Sequence, residues 1–107
     1  MKRGEIWTVS GGGYAGKPRP AVIVQDDRFD ATASVTLCVF TSEETDAPLF
    51  RPAVAPSPIN GLRSVSRLMV DKVTTVPRDK LGERIGDLGA EDLVRLNRAI
   101  VVFLGLG

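Results

Sequence analysis

Histidine is absent from this 107-residue chain. Without it the commonest metal ligand and the usual neutral-pH proton carrier are both missing, which argues against a zinc site and against a Ser-His-Asp hydrolase. Cysteine occurs once, at Cys38, so no intramolecular disulfide can form. At this length one domain spanning residues 1–107 can bury a core without such staples. A strong charge excess is lacking as well: the net charge is +1, far from the basic surplus that marks a nucleic-acid binder by composition. Any site for a polyanion must therefore be local. No charged-then-apolar leader follows Met1, and the longest apolar run, Ala99 to Leu104, is far short of the ~20 residues that span a bilayer. The expectation is a cytoplasmic protein whose apolar run ends a packed helix.

What is present is organised around Lys17-Pro18-Arg19-Pro20-Ala21-Val22-Ile23-Val24-Gln25. A short apolar run bounded by turn residues predicts a strand buried on both faces, beginning at Pro20. Proline fixes its own φ and drives the preceding residue out of the α region, so Lys17 and Arg19 are both extended. Arg19 thus sits on rigid backbone at a strand mouth, a placement suited to an anion.

Upstream, Arg3 to Val9 alternates in the manner of a first strand. Ser10 to Gly16 holds four glycines in seven residues and carries Tyr14, either as a flap over a ligand or as a plain flexible turn. Downstream, Asp26 to Asp30 is a polar turn with some helical twist. Ser34 to Phe40 is a third strand closing on Thr41-Ser42, whose hydroxyls either face Arg19 or cap the next turn. Glu43 to Gly61 is a long, proline-rich excursion with a brief strand signal from Phe50 to Val54. Ser64 to Val76 alternates as a strand broken near Asp71-Lys72 by a bulge or bend that shifts it from one sheet edge to another. Arg78 to Gly89 is charged and glycine-rich, with room for a turn of helix and one last short strand. From Ala90 onward Leu93, Leu96, Ile100, Phe103 and Leu104 recur at helical spacing, with Glu91 and Asp92 in the first turn, Gly89 as N-cap and Gly105 as terminator. Val94, Val101 and Val102 widen the apolar stripe, so this helix is either deeply buried or shared with a second subunit. The sum is an α+β, mainly β fold: a small antiparallel barrel or bent sheet with a C-terminal helix packed on it.

Four stretches in order, Arg3 to Trp7, Lys17 to Gln25, Thr41-Ser42, and Val70 to Val76 leading into Arg78 to Leu88, together resemble the MazF/PemK toxins of bacterial toxin–antitoxin pairs. The resemblance implies an SH3-like β-barrel with appended helices and a homodimer. It also implies a metal-independent endoribonuclease, without cofactor, that cuts single-stranded RNA at short sequences and is silenced by a cognate antitoxin whose flexible tail lies in the active groove. By motif, the resemblance carries catalytic roles to Arg19, Thr41 and Asp71, with Ser42 beside Thr41. It departs at Met69, where some members have an arginine two residues before the aspartate, and Arg67 is the residue one pleat back that could stand in.

RNA supplies its own nucleophile, the 2′-hydroxyl, so the chemistry survives without histidine. Arg19 can hold the phosphate in two-point fashion and neutralise charge in the transition state, while Thr41 bonds a phosphate oxygen or the 2′-oxygen. The expected products are a 2′,3′-cyclic phosphate and a 5′-hydroxyl. Asp71 and Glu43 are the candidates for the base, with Asp71 equally suited to fixing the backbone bend. Tyr14 is the stacking candidate, Trp7 and Phe40 belong to the core, and Lys17, Ser42, Arg51, Arg63 and Arg67 supply the RNA-binding groove. The alternative is a non-enzymatic toxin of the CcdB type, which shares this fold and poisons a protein such as DNA gyrase through its C-terminal helix.

Overall fold

Strand β3, Ser34–Thr41, is the spine of the fold. The computed structural model describes residues 1–10 and 17–107, so the expected flap with Tyr14 lies outside the described residues. In chain order the other strands are β1 (Glu5–Val9), β2 (Arg19–Ile23), β4 (Ala53–Val54), β5 (Ser66–Leu68), β6 (Thr74–Pro77) and β7 (Leu81–Asp87), followed by helix α1 (Ala90–Leu104). They form one seven-stranded antiparallel sheet in the order β4-β5-β3-β2-β1-β7, with β6 also paired to β3. The sheet curls into a half-barrel, as expected of a mainly β fold with one C-terminal helix.

Pleat alternation sorts β2 and β3 between two cores. Val22, Cys38 and Phe40 pack with Ile6, Leu68 and the helix residues Leu96 and Ala99, while Ala21, Ile23, Leu37 and Val39 pack with Val9 and Met69 on the other face. Burial on both sides is why the run after Pro20 has no polar alternation. Each fully buried aliphatic side chain here contributes about 1.5–3 kcal/mol.

The break near Asp71 is a 3₁₀ turn, Val70–Lys72, and not a bulge that moves the chain to another edge. Both flanking strands run along the same side of β3: Leu68 opposite Phe40, and Thr74 opposite Leu37. The Arg78 to Gly89 segment holds a longer strand than its glycines suggest, seven residues after a 3₁₀ turn at Arg78–Lys80. Glycine is required there by close approach: a Cβ on Gly82 would lie 2.4 Å from Thr8 Oγ1, and one on Gly86 2.4 Å from the Ile59 carbonyl oxygen.

Helix α1 starts after Gly89 and stops at Gly105, whose φ of 70° is left-handed. Only Leu96 and Ala99 are buried. Val102 and Leu104 are 57% and 58% exposed, so the widened stripe is not covered within the chain. Among the described residues, no helix is long and apolar enough to cross a membrane.

Candidate active site

Arg19 opens β2 between Pro18 and Pro20 and pairs with Val9 of β1. On its other side β2 pairs with β3 from Ala21 opposite Val39 onward. Carried two residues further, the same register sets Arg19 opposite Thr41, the last residue of β3. Both line one open cleft of about 560 Å³, a size suited to a small ligand or a nucleotide of a longer chain. Thr8, Pro20 and Phe40 also line it, from neighbouring strands. Lying at strand ends, the cleft draws on both faces of the pleat.

Its second wall comes from the proline-rich excursion and the start of β5: Gly61, Arg63, Ser64 and Ser66. Asn60, 1% exposed, holds that wall in place. Its Oδ1 accepts the backbone N–H groups of Ser57 (3.1 Å) and Leu62 (3.0 Å), and its Nδ2 donates to the Ala55 carbonyl at 2.9 Å. Gly61 itself has φ 70° and approaches the Ile85 carbonyl so closely that a Cβ would lie 2.2 Å from the oxygen. The excursion is thus folded onto β7, bringing Arg63 to the cleft.

Thr41 combines both roles that its position allows. It is 7% exposed, and its Oγ1 accepts the N–H of Glu43 at 3.1 Å, capping the turn. A hydroxyl that accepts one bond still has a proton to give, and Thr41 lines the cleft. Ser42 lines it too.

Asp71 and Arg51 lie elsewhere. Arg51 donates from Nε to Asp71 Oδ1 at 3.0 Å and from Nη2 to Oδ2 at 3.1 Å, with side chains only 11% and 21% exposed. The guanidinium beside it holds the Asp71 carboxyl below the usual carboxylate range. Neither residue lines the cleft, so Asp71 is not placed to act as a base there and Arg51 is not part of its groove. Nor do Lys17, Arg67 and Glu43 line it; Lys17 is exposed, and Arg67 is paired in register with Thr41 and Ala53 on β5. Cys38 is no nucleophile either, because burial pushes its thiol up to about 12, with the Asp71 charge adding to the shift.

The carboxylate that does line the cleft is Glu83, with Ile85 beside it on β7. The alternation of residues 81–87 does not reveal it because β7 is irregular against β1: Ile6 faces Gly86, Trp7 faces Arg84, and Val9 faces Leu81. Gly82 and Glu83 together oppose Thr8, and Ile85 has no counterpart between Ile6 and Trp7. Such bulges re-aim side chains, and the two residues of β7 that reach the cleft are both at bulges.

Comparison with known proteins gives a consistent set of relatives. The family model described as PemK-like, MazF-like toxin of type II toxin–antitoxin system matches residues 2–104. The chain is 58% identical over 107 residues to a probable endoribonuclease MazF of Mycolicibacterium smegmatis, covering 99% of this chain and 98% of that protein. Among solved structures it resembles the Mycobacterium tuberculosis toxin MazF-mt6, with TM-score 0.82, 25% identity and coverage of 96% of this chain and 98% of that one. It also resembles a mycobacterial endoribonuclease in complex with its cognate antitoxin, with TM-score 0.81, 25% identity and coverage of 100% and 97%.

Proposed function

Because the chain belongs to the PemK-like, MazF-like toxins of type II toxin–antitoxin systems, we propose that it is the cytoplasmic endoribonuclease toxin of such a pair, cutting single-stranded RNA at selected short sequences without a metal. Cleavage proceeds by attack of the ribose 2′-hydroxyl on the adjacent phosphorus, leaving a 2′,3′-cyclic phosphate and a 5′-hydroxyl.

The observation that carries this proposal is the single cleft lined by Arg19 and Thr41. A guanidinium binds a phosphodiester in two-point fashion and gains strength as charge builds on its oxygens. The Thr41 hydroxyl, oriented by Glu43, donates to one of those oxygens. Arg63 and Ser42 at the same cleft bind the flanking phosphates and sugars. Lys17 and Arg67 would extend the contact beyond the cleft, and Tyr14 keeps its expected role as a stacking residue. Asp71 with Arg51 acts as a structural clasp under the excursion.

The open cleft also suits the flexible tail of a cognate antitoxin, as extended peptide and single-stranded RNA present similar widths and the cleft is cationic through Arg19 and Arg63. Homodimerisation through the uncovered end of α1 accounts for the exposure of Val101, Val102, Phe103 and Leu104. A protein poison of the CcdB type would leave the cleft without a role.

Incubating the purified protein with mixed-sequence RNA in EDTA and mapping the ends tests the proposal. Discrete cuts at a recurring short sequence with cyclic phosphate ends are expected. RNA left intact while cell growth still stops would overturn it in favour of a protein target.

A further inference from the structure

Attack by the 2′-hydroxyl needs a proton acceptor. With no histidine in the chain and Asp71 engaged by Arg51 away from the cleft, Glu83 is the one carboxylate among the described residues that line it. We propose, on the premise that this cleft cleaves RNA, that Glu83 is the general base that deprotonates the attacking 2′-hydroxyl, and that the bulge opposite Thr8 is the device that aims it.

The bulge is specifically built. Gly82 and Glu83 together face Thr8 across the β1–β7 pair. An extra residue in a strand leaves an amide without its ladder partner; here the Glu83 N–H donates to Thr8 Oγ1 at 2.9 Å. A Cβ on Gly82 would lie only 2.4 Å from that same hydroxyl, so glycine at 82 is what allows Thr8 to reach the Glu83 amide. Thr8 and Gly82 thus fix the backbone from which the Glu83 side chain leaves. The same Thr8 lines the cleft, together with Pro20 and Phe40.

Position across the sheet fits the role. Arg19 is on β2 and Glu83 on β7, with β1 between them. Two interstrand spacings separate them, roughly 10 Å along the sheet, which leaves room for a ribose phosphate held between a guanidinium and a carboxylate. In the step, a Glu83 carboxylate oxygen takes the proton of the 2′-hydroxyl and the 2′-oxygen forms a bond to phosphorus. The bond from phosphorus to the 5′-oxygen breaks with its electron pair on that oxygen, which takes a proton from solvent water. The resulting hydroxide is neutralised when Glu83 releases its proton, so no water is consumed.

Single-turnover cleavage of an RNA that the wild type cuts, followed in EDTA across the acidic to neutral range, tests this. Glu83→Gln should cleave about 10²-fold or more slowly, within the span of general-base contributions, and should lose the acidic limb on which the wild-type rate rises with pH. Its RNA affinity, melting temperature and cut sequence should match the wild type. Glu83→Asp should keep the limb at a reduced rate. A Gln variant within about threefold of the wild-type rate, well under the span of a general base, would overturn the role. So would a slow variant that retains the limb, that loses only RNA affinity, or that cuts at a different sequence, which would make Glu83 a base reader. Wild-type protein that leaves every RNA intact would instead overturn the ribonuclease assignment itself, and the base with it.

Discussion

Arg51 and Asp71 close on each other through two parallel hydrogen bonds, 3.0 and 3.1 Å long, and so tie the proline-rich excursion to the 3₁₀ turn between β5 and β6. The clasp works with backbone bonds on either side of it, Leu68 N–H to the Pro52 carbonyl and Val70 N–H to the Phe50 carbonyl. Asp71→Asn leaves a largely buried guanidinium without its counter-ion and should cost about 2 kcal/mol, between the values for exposed and fully buried pairs. RNA cleavage well below the melting temperature should stay within about threefold of wild type, since effects of this kind act through stability. Because the folded-state pKa of Asp71 is lowered, its stabilisation is complete above the ordinary carboxylate pKa of about 3.9 and is lost as pH falls through the lowered value. The gap in thermal stability between wild type and Asp71→Asn should therefore be full at neutral pH and shrink below about pH 4. A variant that is stable but inactive would return Asp71 to the chemistry.

Thr41 is asked to serve the turn and the cleft with one hydroxyl. Thr41→Val should lose the bond to Glu43 N–H, about 1 kcal/mol in denaturant unfolding, and also slow cleavage by about 10²-fold, the scale for removing one donor to a developing oxyanion. Thr41→Ser should restore both. Loss of stability without loss of rate would leave Thr41 as a cap alone.

Gly86 is confined by backbone. A Cβ there would lie 2.4 Å from the Ile59 carbonyl oxygen and 2.5 Å from the Asn60 carbonyl carbon, neither of which can swing away as a side chain can. Gly86→Ala should destabilise the protein by about 3 kcal/mol through overpacking and displace the Asn60 to Arg63 wall. Denaturant unfolding of the variant checks the first effect and RNA affinity the second.

Much of this architecture was legible in residue order. Pro18 and Pro20 announced a fixed Arg19, apolar residues without alternation announced β2, and Gly89 and Gly105 bracketed α1. The strand from Leu81 to Asp87 was obscure because Gly82 and Gly86 are there for close approach to Thr8 and Ile59, a tertiary demand that weakens the local strand signal. Glu83 was missed for the related reason that a bulge changes the phase of alternation, and no spacing rule reports a bulge in advance. Asp71 was placed in the chemistry by family motif, whereas its partner Arg51 stands twenty residues away in a segment whose prolines hide its path. That Arg19 and Thr41 reach one cleft depends on the β2–β3 register, which needs the turn between the strands to be known.

The uncovered end of α1 gives a separate expectation. Val102 and Leu104 are more than half exposed, and Phe103 meets Phe50 at 6.0 Å between ring centres. A charge introduced by Leu104→Glu should convert a dimer to monomer in sedimentation while leaving the helix content unchanged, because the side chain is outside the core. Wild-type protein that sediments as a monomer at micromolar concentration would contradict the dimer.

The most direct measurement is the cleavage of RNA in EDTA by wild type and Arg19→Ala side by side, with the termini identified. The proposed chemistry requires 2′,3′-cyclic phosphate and 5′-hydroxyl ends from the wild type and a rate lower by about 10²–10³-fold for Arg19→Ala at an unchanged cut sequence. Equal rates from the two proteins, or ends bearing a 3′-hydroxyl, would contradict it.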